Sequence, residues 1–129
     1  QFFKQIKFDQ QGLIPAIIQD AKTRQVIMVA YMNELALRQT LASGLTHFWS
    51  RSRRKLWMKG ESSGHTQKVR AVYFDCDNDA VVIKVSQKSA ACHTGYYSCF
   101  YKQLNLKTKS VKETGKKIFD PQKVYRKKK

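Results

Sequence analysis

The sequence predicts an α+β, β-rich single domain with one short helix, and three observations carry that reading. A chain of 129 residues with a 42% apolar share suits one domain with a real core. Short runs of apolar and β-branched residues recur between polar breaks, as strands do. Helical periodicity stands out once, near residues 33–43. No internal repeat or domain linker interrupts the pattern.

Taken in order, Leu13 to Ile18 and Val26 to Tyr31 flank the polar segment Asp20-Ala21-Lys22-Thr23-Arg24. They predict a hairpin, and their almost continuous apolar character predicts burial on both faces. Asn33 suits a helix N-cap, and Glu34 places an acid in the first turn, where the helix dipole favours it. Leu37 and Leu41, four apart, predict the buried face, and Gly44 stands where a left-handed glycine ends a helix. Strands are expected next over Leu45 to Ser50 and Lys55 to Lys59, then a loop at Ser62-Ser63-Gly64. Gln67 to Asp75 is the clearest strand, with Val69, Ala71 and Tyr73 on one face and Val72 and Phe74 on the other. Asp77-Asn78-Asp79 breaks it, and Ala80 to Val85 returns. After a loop through Cys92-His93-Thr94-Gly95, an aromatic strand is expected around Tyr97 to Tyr101.

Charge narrows the function. The chain carries 25 Lys and Arg against 9 Asp and Glu, a net of +16. Residues 102–129 hold 11 of those cations and only Glu113 and Asp120, so more than half the excess lies there. A basic terminal run is read as solvated rather than as a nucleic-acid contact. The field still draws phosphorylated small molecules. No apolar run approaches the roughly 18 residues that span a bilayer, and no signal-peptide pattern opens the chain, so no membrane partner is expected. Three cysteines do not make a disulfide framework; reduced thiols and a cytoplasmic location are expected.

Those cysteines are Cys76, Cys92 and Cys99, with 15 and then six residues between them. The spacing alone does not separate zinc ligands from plain buried thiols. Their neighbours add more. Cys76 lies within Asp75-Cys76-Asp77-Asn78-Asp79, and alternation in an extended segment points the thiol away from Asp75 and Asp77. A thiolate site for zinc on one face and a carboxylate site for magnesium, with Asp79 joining it, on the other fits that pattern; an Asx-rich turn is the plainer reading. Three thiolates leave a coordination position open, as catalytic zinc does. His93 can fill it as a ligand or act beside it as a general base.

Ser50-Arg51-Ser52-Arg53-Arg54-Lys55 is the anion-binding candidate, because arginine forks and hydroxyls suit phosphate. If extended, it places Arg51 and Arg53 on one face. Lys59 and Glu61 follow around Gly60, with Glu61 free to pair with Lys59 or to orient a ribose hydroxyl. Trp49 and Trp57 are core residues or stacking surfaces for a base. His47 and His65 carry no independent signal. The competing reading is a basic, zinc-stabilised nucleic-acid-binding domain without catalysis, using Phe48, Trp49, Trp57 and Tyr73 as a stacking platform. It leaves three acids repelling a phosphate backbone, and a zinc that only stabilises the domain predicts a saturated four-ligand site and no turnover.

These blocks together resemble the phosphoribosyl-AMP cyclohydrolases of histidine biosynthesis. The resemblance rests on Met28-Val29-Ala30-Tyr31-Met32-Asn33, Ser50 to Arg53, Leu56-Trp57, Lys59-Gly60-Glu61, Ser63-Gly64, Gln67 and Val69. It continues through Asp75 to Asp79, Cys92 to Gly95 and Ser98-Cys99-Phe100. It implies a hydrolase that opens the purine ring of N1-(5-phosphoribosyl)-AMP at the N1–C6 bond, giving the formimino-aminoimidazole carboxamide ribonucleotide. It also implies zinc on Cys76, Cys92 and Cys99 and magnesium on Asp75, Asp77 and Asp79. His93 and Lys59 are then the catalytic candidates, with Arg51, Ser52, Arg53 and Glu61 on a phosphorylated nucleotide substrate. The expected architecture is two packed antiparallel sheets, pseudobarrel-like, in a homodimer whose zinc site is shared between chains. A cyclohydrolase domain over residues 1–106 is expected, with a basic extension over 107–129. A monofunctional form is expected, since 129 residues leave no room for a fused pyrophosphohydrolase. Leu35 departs from the family where a second acid is expected, and the lysine-rich tail lies outside the motifs.

Overall fold

The structure, a computed structural model, describes residues 2–118. Strands β1 (Ile14–Asp20) and β2 (Val26–Met32) form the expected hairpin, from Ile14 opposite Met32 to Gln19 opposite Val26. Asp20 shapes its turn, because Oδ1 accepts from the backbone N–H groups of Lys22 and Thr23 at 2.7 and 3.0 Å. Burial on both faces is not what β1 shows: Ile14, Ala16 and Ile18 are buried, and the residues between them are half-buried. A bulge after Ile18 breaks the alternation in β2, so adjacent Ile27 and Met28 are both buried.

Helix α1 (Glu34–Ser43) begins where Asn33 Oδ1 accepts from Ala36 N at 2.8 Å. It ends at Gly44, whose φ of 77° is left-handed and whose N–H returns to Thr40 O. The buried stripe is Ala36, Leu37 and Thr40, and Leu41 is 48% exposed, contrary to expectation. The cause is Thr40. Its hydroxyl donates to Ala36 O and accepts from His47 N, each at 2.8 Å, which turns that side of the helix toward the next strand.

Strands β3 (His47–Ser50) and β4 (Lys55–Met58) pair as a short hairpin. Strands β5 (Gln67–Phe74) and β6 (Val81–Gln87) pair antiparallel, and β6 also runs parallel to β1. The main sheet therefore has the order β2-β1-β6-β5. The expectation of two wholly antiparallel sheets is corrected: the excursion through α1, β3, β4 and β5 brings β6 back beside β1 in the same direction. Backbone bonds from Val69 N to Gly44 O and from Thr46 N to Gln67 O hang the β3–β4 hairpin from β5.

A bulge between Val69 and Ala71 also changes the expected faces of β5. Val69, Val72 and Phe74 pack on the core, which is built from Ile14, Ile18, Ile27, Met32, Leu37, Phe48, Val81, Ile83 and Val85. The aromatic segment 97–101 is not a strand; its backbone bonds go outward, as from Cys99 N to Ile27 O at 2.7 Å. Strands β7 (Lys102–Leu104) and β8 (Val111–Glu113) follow as a hairpin whose turn contains the boundary expected at residue 106. Residues 119–129 of the basic extension lie outside the described residues. Among the described residues, no helix is long and apolar enough to cross a membrane.

Candidate active site

The β3–β4 hairpin builds the first part of the site. Its register puts Phe48, opposite Trp57, and Ser50, opposite Lys55, on one face, and Trp49, opposite Leu56, on the other. Phe48 is fully buried and anchors Trp57, their ring centroids 5.0 Å apart. Residues 51–54 form a turn rather than the extended segment expected. Ser50 closes it, its Oγ accepting from Arg53 N at 3.1 Å and its carbonyl from Arg54 N at 2.8 Å.

That turn separates the arginines. Arg53 lines a hollow of about 380 Å³ with Ser50, Lys55, Trp57, Lys59 and Glu61. Arg51 and Ser52 line a second hollow of about 770 Å³ with Trp49 and Arg54. The guanidinium of Arg51 lies 4.0 Å from the centroid of the Tyr31 ring. The expected common face for Arg51 and Arg53 is thus corrected.

Glu61 has a backbone partner: Oε1 accepts from Met58 N at 2.6 Å. Among the described residues the ion pair recorded is Arg38–Glu34, so Glu61 does not pair with Lys59. Lys59, the residue after β4, instead donates its Nζ to the carbonyl of Ala91. Burial holds its pKa below the usual lysine value, and the negative charges that Cys99 and Cys92 can carry oppose that shift.

Two of the three thiols meet there. Cys92 is buried, and its Sγ lies 2.9 Å from Thr94 Oγ1. Packing around the Cys99 thiol, and then the adjacent Cys92, push its pKa up to about 11, although the residue reaches solvent. Cys76 is exposed and forms no group with these two, while His93 is exposed beside Cys92.

The acids converge in the β5–β6 turn, which is not extended. Asn78 takes a left-handed φ of 59°, and Asp75 Oδ1 accepts from Asp79 N at 3.0 Å. Among the described residues, Asp75, Asp77 and Asp79 are the group able to share an ion, with one ligand atom from each within 4.8 Å of the others. The Asp79 backbone N–H holds the Asp75 carboxyl below its ordinary pKa. The bond to Asp75, and after burial the charges of Asp75 and Asp77, raise that of Asp79.

Of the two donor sets that the sequence suggests, the chain brings the three acids together, and of the three thiols only Cys92 and Cys99. Three crowded carboxylates suit a hard divalent ion, and two adjacent thiols supply two of the three soft donors expected for zinc. Two features were missed in the sequence: the Thr94 contact to Cys92 and the Ala91 carbonyl that receives Lys59. Thr94 stood within the Cys92 to Gly95 block and signalled itself only by proximity. Ala91 offers a backbone atom, which no residue type announces.

The model of the phosphoribosyl-AMP cyclohydrolase family matches residues 28–101. The chain is 56% identical over 115 residues to a phosphoribosyl-AMP cyclohydrolase of Methanothermobacter thermautotrophicus, covering 89% of this chain and 83% of that protein. It is 55% identical over 120 residues to one from Methanococcoides burtonii, covering 93% and 95%. It is also 52% identical over 122 residues to the histidine biosynthesis bifunctional protein HisIE of Thermoanaerobacter pseudethanolicus; there it covers 95% of itself but spans only 56% of the relative. The chain belongs to the phosphoribosyl-AMP cyclohydrolase family.

Proposed function

We propose that this chain hydrolyses the N1–C6 bond of N1-(5-phosphoribosyl)-AMP in histidine biosynthesis. The observation that carries the reading is the junction at Lys59. One side chain both lines the hollow of Arg53, Trp57 and Glu61 and donates to the carbonyl of Ala91, the residue before Cys92. A phosphorylated nucleotide suits that hollow, with Trp57 offering an aromatic surface to the base and Arg53, Ser50 and Lys55 offering donors to phosphate.

In the reaction, the oxygen of water joins C6, the C6–N1 bond breaks, and N1 leaves with a proton. His93, exposed beside Cys92, takes the proton from water or gives one to N1. Lys59 places positive charge where negative charge develops. Zinc held by Cys76, Cys92 and Cys99, with magnesium held by Asp75, Asp77 and Asp79, would supply water activation and neutralisation of phosphate charge.

In this reading the thiol set takes Cys76 from one copy and Cys92 and Cys99 from another, since the three do not form one ligand group within the chain. Support for a homodimer comes from the face of the main sheet that presents Val29, Ile17, Val82 and Tyr73 as cross-strand neighbours, with Val29 and Tyr73 exposed. Reduced thiols accord with a cytoplasmic setting. The test is to incubate the purified chain with phosphoribosyl-AMP, zinc and magnesium and to follow the ultraviolet change of ring opening. Turnover is expected; a folded, zinc-loaded dimer without turnover overturns the proposal.

A further inference from the structure

The family match ends at residue 101, and the β7 and β8 strands that follow are exposed along their whole length. A two-stranded hairpin that buries so little is not stable alone. The loop that carries Cys92 and Cys99 holds it. Ile118 N donates to Gly95 O at 2.6 Å, Tyr97 N to Lys116 O at 2.8 Å, and Thr114 N to Tyr101 O at 2.6 Å. Side chains repeat the attachment. The rings of Tyr96 and Tyr101 stack with centroids 3.9 Å apart and planes 2° apart, and the Tyr96 hydroxyl donates to Glu113 Oε1 at 2.9 Å.

The opposite side of the loop is tied to the main sheet. Cys99 N donates to Ile27 O at 2.7 Å and Ser98 Oγ to Val26 O at 2.8 Å. Within the loop, Cys92 N donates to Tyr96 O at 3.2 Å and Ala91 N to Tyr97 O at 3.0 Å. The stretch between the two cysteines is therefore strapped from both sides, by β2 on one and by the C-terminal arm on the other.

We propose that this arm is a brace that sets the separation of Cys92 and Cys99, with Tyr96, Tyr101 and Glu113 as its positioning residues. Only the consequence for zinc rests on the function proposed above. A loop already held near its binding geometry loses less conformational entropy when it closes on an ion, and residues behind the ligands tune affinity in that way.

The experiment uses the full chain with Tyr96→Ala, Tyr96→Phe, Glu113→Ala and Glu113→Gln. Zinc affinity is read by competition with a chromogenic chelator. In zinc-free protein carrying Cys76→Ser, the approach of the two thiols is read with dibromobimane, which fluoresces after bridging two thiols. Thermal unfolding is followed alongside. Tyr96→Ala is expected to weaken zinc binding by about tenfold and to slow bridging. Tyr96→Phe, which keeps the stack, falls between it and wild type, and Glu113→Gln, which keeps an acceptor, exceeds Glu113→Ala. Zinc affinity and bridging within twofold of wild type in Tyr96→Ala overturn the brace, whatever happens to the unfolding temperature. If the wild-type chain binds no zinc, the metal reading fails while the bridging rates still decide the brace.

Discussion

The ammonium of Lys59 donates to the carbonyl oxygen of Ala91, 32 residues further along, and so joins the end of β4 to the loop that holds Cys92. Replacing Lys59 by Met keeps the apolar stem and removes a charge-assisted bond worth about 1.5–3 kcal/mol. We expect kcat/KM to fall by roughly 10- to 150-fold, with most of the change in kcat. Steady-state kinetics beside a chelator titration checks this, since zinc should remain bound. An unchanged kcat would remove Lys59 from the chemistry.

The separation of Cys76 from Cys92 and Cys99 gives a sharper test. Cys76→Ser and Cys92→Ser should each be inactive alone. Mixed and re-equilibrated in equal amounts, they form hybrid dimers in which one shared site is wholly wild type, so about a quarter of wild-type activity should return. A site built within one chain predicts no recovery at any mixing ratio.

His93 and Cys92 are neighbours with different expected roles. Cys92→Ser should lose both zinc and turnover, because the hydroxyl is a poor soft ligand. His93→Ala should keep most of its zinc and lose roughly 10²- to 10⁴-fold in kcat, the usual range for a general acid or base. Zinc content by emission spectrometry separates the cases, and loss of zinc in His93→Ala would make the imidazole a ligand instead.

The three acids of the β5–β6 turn crowd together, and the Asp79 carboxyl pKa is raised first by its bond to Asp75 and, after burial, by the charges of Asp75 and Asp77. Asp77→Asn removes one of these charges. In chelator-treated protein it should unfold at the same temperature as wild type or above it, whereas the rise that magnesium gives wild type should shrink. Calorimetry with and without magnesium reads both. A full magnesium response in Asp77→Asn would count against the carboxylates as a metal site.

Much of the frame was legible because it is written locally. Asn33 and Gly44 mark the ends of α1, and the runs that became β1, β2, β5 and β6 carry their strand signal in a few residues each. What was not legible depends on long-range pairing. Nothing between Ile14 and Val85 announces that β6 lies parallel to β1. Bulges after Ile18 and Val69 reassign faces that strict alternation put elsewhere. At the site, residue types named Arg51, Arg53 and the three acids, but only a turn with Arg54 in a left-handed conformation divides Arg51 from Arg53. The same limit applies to Leu41, which lost the buried stripe to Thr40 once that hydroxyl met His47.

Two glycines beside the hollow look alike in sequence and differ in consequence. Gly64 has φ of 80° with open space where a Cβ would stand, so Gly64→Ala pays only for the left-handed backbone, about 1 kcal/mol. Gly60 has φ of 83°, and a Cβ there would lie 2.5 Å from the backbone carbon of His65 and 2.6 Å from Thr66 N. Backbone must move to admit it. Because Gly60 stands between Lys59 and Glu61, that movement displaces two residues that line the hollow. We expect Gly60→Ala to lose roughly 2–4 kcal/mol of stability and to raise KM, while Gly64→Ala leaves KM within about twofold. Denaturant unfolding and kinetics on the pair decide it: equal losses at both positions would mean that backbone conformation alone, and not the close approach to His65, holds this edge of the site.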